Sequence, residues 1–112
     1  MLTDQQQMIL AKAFKALADE TRLCVIQTLA ELRSPVGQQV LVSHLENNGR
    51  AVSQQNVSYV LREFVSAGLV ASHRVGRNRL YFILPNVVTD CLLFIHNLSP
   101  EEIPNAATQA NN

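Results

Sequence analysis

The chain has 112 residues, 47% hydrophobic and 16% charged, with a formal net charge of zero. That is the length of one domain with a modest core. No stretch approaches the roughly 18–20 consecutive apolar residues of a membrane span, and the start MLTDQQQ lacks the basic and apolar regions of a secretory signal. Cys24 and Cys91 stand too far apart for a zinc spacing and do not make a disulfide framework. The expected setting is therefore reducing and cytoplasmic.

Thr3 and Gln6 have the spacing of a capping box, which predicts a first helix running to about Leu17. Met8, Phe14 and Leu17 mark its apolar side, and Ala11, Ala13 and Ala16 allow close approach. Asp19 is the predicted cap of a second helix ending near Arg33, with Val25, Ile26, Leu29 and Leu32 as its stripe. Ser34-Pro35-Val36-Gly37 breaks the chain. A shorter third helix follows from Gln38 to about Leu45, with Val40, Leu41, His44 and Leu45 on one side, and Asn47-Asn48-Gly49 signals a turn.

The fourth helix has the clearest signature. Ser53 is its cap and Gly68 its stop. Between them Val57, Val60, Leu61, Phe64 and Val65 follow the full amphipathic template. LVASHRV and RLYFIL, joined by Gly76-Arg77-Asn78, predict a β-hairpin with a basic tip. Pro85 suits the first turn of a fifth helix with Val88, Cys91, Leu92 and Ile95 on one stripe. The chain divides into one domain over 1–98 and a polar tail over 99–112, EEIPNAATQANN in its main part, whose composition predicts disorder.

Charge is unevenly spread. Residues 1–47 carry net −1 and residues 85–112 net −3, whereas residues 48–84 carry five arginines against Glu63 alone, net +4. A neutral protein can therefore present a local basic patch to phosphates. Two helices joined by a turn and followed by a hairpin form a winged helix-turn-helix, mainly α with a β wing. On the fourth helix, Gln55, Tyr59, Arg62 and Ser66 fall opposite the apolar stripe, with Asn56 and Ser58 beside them. Gln, Asn and Arg can hydrogen-bond base edges in a major groove. Ser53, Gln54, Gln55, Asn56, Ser58, Tyr59 and Arg62, with Arg74, Arg77, Asn78 and Arg79 of the hairpin, are the predicted contacts to double-stranded DNA.

The stretches FKALADETRLCVIQTL (14–29), VSQQNVSYVLREFVSAGLV (52–70) and HRVGRNRLYFIL (73–84) resemble the ArsR, or arsenic-repressor, family of bacterial regulators. The resemblance covers about residues 9–95. It implies a homodimeric repressor built through the first and last helices and released by an inducer, and the two fourth helices of such a dimer would meet an imperfect palindrome. The chain departs from the family in its longer turn over 46–51, where Arg50 adds a candidate phosphate contact. It departs again at Tyr59, a position often basic in relatives. The family's metal-binding motif is also missing, because Pro35 to Val42 holds no Cys, His, Asp or Glu.

Asp90 and His96, six positions apart, stand about 240° apart around a helix and share no face. No metal site or cofactor is therefore expected. Cys24, off the stripe of the second helix, and Cys91, inside that of the fifth, are candidate redox thiols and the leading release signal. A small ligand, or a metal held elsewhere than at the family's motif, is the competing signal. No catalytic motif places Ser, His or Asp together, so an enzyme is not expected. A winged helix that binds protein rather than DNA is the rival reading.

Overall fold

The computed structural model describes residues 2–98, so the expectation of a disordered tail over 99–112 lies outside the described residues. Along the chain run α1 (Asp4–Leu17), α2 (Glu20–Leu32), β1 (Val36–Gly37), α3 (Gln38–Asn47), α4 (Gln54–Ser66), β2 (Val70–Val75), β3 (Asn78–Ile83) and α5 (Pro85–Asn97). The Thr3–Gln6 capping box forms: the Gln6 amide donates to Thr3 Oγ1 at 3.1 Å, and the Thr3 amide to Gln6 Oε1 at 2.9 Å. Asp19 caps α2 by accepting from the Arg22 amide at 3.2 Å. Each cap satisfies an amide that the first helical turn leaves unpaired.

The stop of α4 is a Schellman motif. Gly68, at φ 77°, turns the chain left-handed. The Leu69 amide then donates to the Phe64 carbonyl at 3.0 Å, and the Gly68 amide to that of Val65 at 3.1 Å. A side chain at position 68 would be strained by that backbone, and its Cβ would stand 3.3 Å from Val87 Cγ2. The stop therefore fixes both where β2 begins and how closely α5 passes.

The core gathers on α4. Val57, Val60, Leu61 and Phe64 are buried with Val25 and Leu29 of α2, Leu41, Val42 and Leu45 of α3, Leu10, Ala13 and Ala16 of α1, and Leu69 and Val70. α3 and α4 pack together as the helix-turn-helix pair, and α2 packs on both. α5 lies against α1, where the rings of Phe14 and Phe94 meet at 6.0 Å.

The predicted hairpin forms, with Val75 opposite Asn78 and Val70 opposite Ile83, so its connection is one residue shorter than the Gly76-Arg77-Asn78 expected. Its loop is the two residues Gly76-Arg77. Gly76, at φ 63°, supplies the positive φ at the first central position. Asn78 already belongs to β3. The segment read as a break, Ser34 to Gly37, contains the extra strand β1, which pairs antiparallel with β3 through Val36–Tyr81 and Gly37–Leu80. Sheet order is β1-β3-β2. The wing is thereby tied by backbone hydrogen bonds to the residue that starts α3.

Several apolar assignments differ from the expected stripes. On α3, Val42 is buried and Val40 exposed, because the helix turns its Leu41–Leu45 edge toward α4. Val65 lies at the rim of the α4 stripe and is exposed. Met8 is 72% exposed, and α1 instead buries Leu10, Ala13 and Ala16. On α5, Val87, Cys91 and Phe94 face inward, while Val88, Leu92 and Ile95 are exposed. α1 and α5 thus carry apolar residues on two faces, and only one face meets this chain's core.

Truncating Phe64 to Ala, at the centre of that core, is expected to cost about 3–5 kcal/mol in urea unfolding. Val65→Ala, one position along but at the rim, is expected to cost less than about 1 kcal/mol.

Candidate nucleic-acid interface

The N-terminal half of α4 presents the polar face that its buried stripe dictates. Gln54, Gln55, Asn56, Tyr59 and Arg62 are exposed and Ser58 is half-buried. Ser53 is occupied as a cap, with its Oγ accepting from the Asn56 amide at 3.1 Å. Its side chain thus serves the helix first. Gln54 is engaged from α3: Gln38 Nε2 donates to the Gln54 carbonyl at 2.8 Å and to Gln54 Oε1 at 2.9 Å. Gln55 and Asn56 make no side-chain hydrogen bond among the described residues.

Tyr59 is 48% exposed on this face and has a partner from another helix. The Arg22 guanidinium of α2 stands 5.7 Å from the Tyr59 ring centroid, within cation–π range. Arg22 is itself held by Nη1 donating to the Ala16 carbonyl at 3.3 Å. The ring is therefore braced from one side, and a positive charge is brought beside the reading face of α4. Neither Arg22 nor Gln38 stood out in the sequence as a site residue. Arg22 lay inside a stretch that carried helix and family resemblance but no contact role, and Gln38 reaches a partner 16 positions away that no local spacing announces.

The wing carries the second group. Arg74, Arg77, Asn78 and Arg79 are all exposed. Arg77 occupies the two-residue loop. Arg74 and Arg79 stand directly opposite each other across β2 and β3. Like charges in that position are destabilising unless an anion lies between them. Arg79 Nη1 donates to Ser72 Oγ at 2.9 Å, which steadies it along the strand pair. Among the described residues neither these arginines nor Arg62 forms an ion pair. The ion pair present joins Arg50, in the long turn, to Glu20 at the start of α2, at 3.5 Å and well exposed. Arg50 thus already faces a carboxylate, which offsets the charge it could offer a phosphate. No side-chain hydrogen bond among the described residues joins the wing arginines to α4, so the two groups are linked through the core and β1.

The two thiols are free. Cys91 is buried and Cys24 half-buried against the core. Burial pushes the Cys91 thiol pKa above the ordinary cysteine range, and the neighbouring Asp90 charge adds to the effect. The main helix contact of α5 is with α1, whereas α2 packs on α1, α3, α4 and β3. Among the described residues no three His, Cys, Asp or Glu side chains group as metal ligands. Among them, too, no helix is long and apolar enough to cross a membrane.

No family model and no curated protein matches the chain. Solved structures do. An ArsR-like transcriptional regulator from Rhodococcus sp. RHA1 is 28% identical with a TM-score of 0.67, covering 94% of this chain and 92% of that one. A possible transcriptional regulator for arsenical resistance is 21% identical with a TM-score of 0.68, over 88% and 95% of the two chains. The homodimeric winged helix-turn-helix DNA-binding domain of a possible ArsR-family regulator from Mycobacterium bovis is 22% identical, with a TM-score of 0.63 over 88% of each chain. The helix-turn-helix pair followed by a hairpin is a winged helix-turn-helix fold, and over most of its length the chain is similar to ArsR-like transcriptional regulators.

Proposed function

We propose that the chain is a sequence-specific DNA-binding transcriptional regulator, acting as a dimeric repressor. The observation that carries this reading is the pairing of an open polar face on α4 with wing arginines that have no acidic partner among the described residues. Gln55, Asn56, Tyr59 and Arg62 are at hand for base edges, with Gln54 and Ser58 beside them. Arg77 at the loop and the opposed Arg74–Arg79 pair suit phosphates or a minor groove. Asn78 lies next to them, and Ser53 contributes by holding the helix start.

The second apolar face of α1 and α5 supports a homodimer. Met8, Ile9, Leu92, Leu93, Ile95 and Leu98 are exposed there. Exposed apolar residues gathered on one surface commonly mark a protein–protein contact. A twofold dimer would put two α4 helices into successive major grooves, roughly 34 Å apart, on an imperfect palindrome. The rival reading, a winged helix that binds protein, leaves the unpaired wing arginines without a role.

For release, thiol oxidation remains the leading signal, with Cys24 the thiol an oxidant meets first. A hydroperoxide would transfer one oxygen to Cys24 Sγ, giving a sulfenic acid and leaving as water or alcohol. Cys91, buried and with a raised pKa, stays protonated at neutral pH and reacts more slowly. A small ligand is the alternative inducer.

DNA selected from a random library by the protein is expected to contain an inverted repeat, with log affinity falling steeply against log salt. Weak, salt-insensitive binding to every fragment, including the protein's own upstream region, would favour the protein-binding module. Arg77→Ala is expected to weaken all sequences alike and to lower the salt slope by about one. Gln55→Ala is expected to change preference at one base pair by ~1–3 kcal/mol. Identical behaviour of the two variants across an operator panel would refute the division of roles. Peroxide treatment is expected to reduce operator binding by wild type and not by Cys24→Ser, and unchanged wild-type binding would remove the thiol signal.

Cys91 also makes a pH prediction. Its pKa is higher folded than unfolded, so its stabilising contribution is full below the ordinary thiol pKa and is lost as pH rises through the raised value. Urea unfolding between about pH 7 and about pH 10 should show the margin of wild type over Cys91→Ala shrinking. A constant margin would show that the thiol does not titrate differently in the two states.

A further inference from the structure

The contact between Gln38 and Gln54 fixes the orientation of two side-chain amides. An amide side chain carries a donor and an acceptor that are nearly the same shape. Here one end of Gln38 lies 2.8 Å from the Gln54 backbone carbonyl, which can only accept. That end must therefore be the NH2 group. The same nitrogen lies 2.9 Å from one end of the Gln54 side chain. An NH2 group has two protons and no acceptor capacity, so this end of Gln54 must be Oε1. Two amide groups are thus locked by one carbonyl whose role is not in question. On Gln54, at the exposed first turn of α4, both protons of Nε2 stay free, whereas Oε1 keeps one lone pair and is held toward Gln38.

We infer that Gln38 of α3 is a specificity-setting positioning residue, which makes Gln54 a hydrogen-bond donor to the operator. The inference rests on the reading of α4 as the DNA-facing helix and adds to it the class of base edge that Gln54 takes. A free glutamine can pair with adenine through both its ends, Oε1 to N6 and Nε2 to N7. With Oε1 drawn back onto Gln38, the bidentate adenine contact is weakened. Edges that present acceptors alone, guanine through O6 and N7 or thymine through O4, are favoured in its place. Gln38 need not touch DNA for this. It acts through Gln54, and its position at the first residue of α3, directly after the β1 strand, keeps it fixed relative to both helices.

The test is DNA selection and single-base-pair competition with the full chain, four single variants and the Gln38→Ala/Gln54→Ala double variant. Wild type is expected to prefer guanine or thymine at the position that Gln54→Ala makes indifferent. Gln38→Ala frees the Gln54 amide, and that preference should fall roughly tenfold with the salt slope unchanged. Gln38→Glu offers only acceptors, so Gln54 should turn its NH2 group inward and its oxygen outward. Preference should then move toward donor-bearing edges, adenine N6 or cytosine N4. Gln38→Lys keeps a donor at the contact and should restore the wild-type preference. A residue that merely joined α3 to α4 would change melting temperature or overall affinity and leave the base preference in place. If Gln38→Glu does not fold, the contrast of Ala with Lys decides alone. Retained binding with the same preference in Gln38→Ala overturns the inference. So does a Gln38→Ala effect that persists when Gln54 is already Ala. Absence of any sequence-preferring DNA binding by wild type overturns the reading of α4, and this inference with it.

Discussion

The burial of one stripe of α4 is the constraint on which the rest of the structure depends. Val57, Val60, Leu61 and Phe64 take the centre of the core, and every other element packs on them or on a neighbour that does. Side chains at those spacings leave only one face of the helix for solvent. The face left over begins at the helix N-terminus and carries Gln55, Asn56, Tyr59 and Arg62. Core and candidate interface are therefore two consequences of one periodicity. The Schellman stop at Gly68 completes the arrangement, because it sends the chain into β2 at a fixed angle and lets α5 pass close by.

Bracing from outside the helix refines that face. Arg22 stacks against Tyr59 from α2, and Gln38 holds Gln54 from α3. Exposed contacts of this kind add little stability singly, about 0.5–1 kcal/mol for a cation–π pair. What they add is order: side chains that meet a ligand in one conformation lose less entropy on binding. The wing shows the opposite balance. Arg74 and Arg79 face each other across the strand pair, and Arg77 caps the loop, and among the described residues none of the three forms an ion pair. Such an arrangement is costly in the free protein and favourable beside a phosphate.

The apolar residues of α1 and α5 divide between two surfaces. Phe14, Val87, Cys91 and Phe94 serve this chain's core, while Met8, Leu92 and Ile95 do not. That division also governs the thiols. Cys91 shares the inward face, so burial and Asp90 hold its proton. Cys24 sits half-buried on a different helix, and the two cysteines meet different chemical environments rather than forming one unit.

Much of the fold was legible in the sequence because it is locally encoded. Caps at Thr3, Asp19 and Ser53, the α4 stripe, the stop at Gly68 and the basic hairpin all depend on neighbours within a few positions. Their hydrogen bonds close within one turn, so spacing alone specifies them. The charge tally likewise located the basic segment without coordinates. Tertiary structure alone decided three things. Strand β1 exists because β3 is there to pair with it, and two residues carry no period of their own. The inward faces of α1, α3 and α5 were set by which neighbour each helix met, since a helix with apolar residues on two sides has no single stripe to read. Arg22 and Gln38 joined the candidate interface through contacts across the fold, and long side chains announce no such partner in their local sequence.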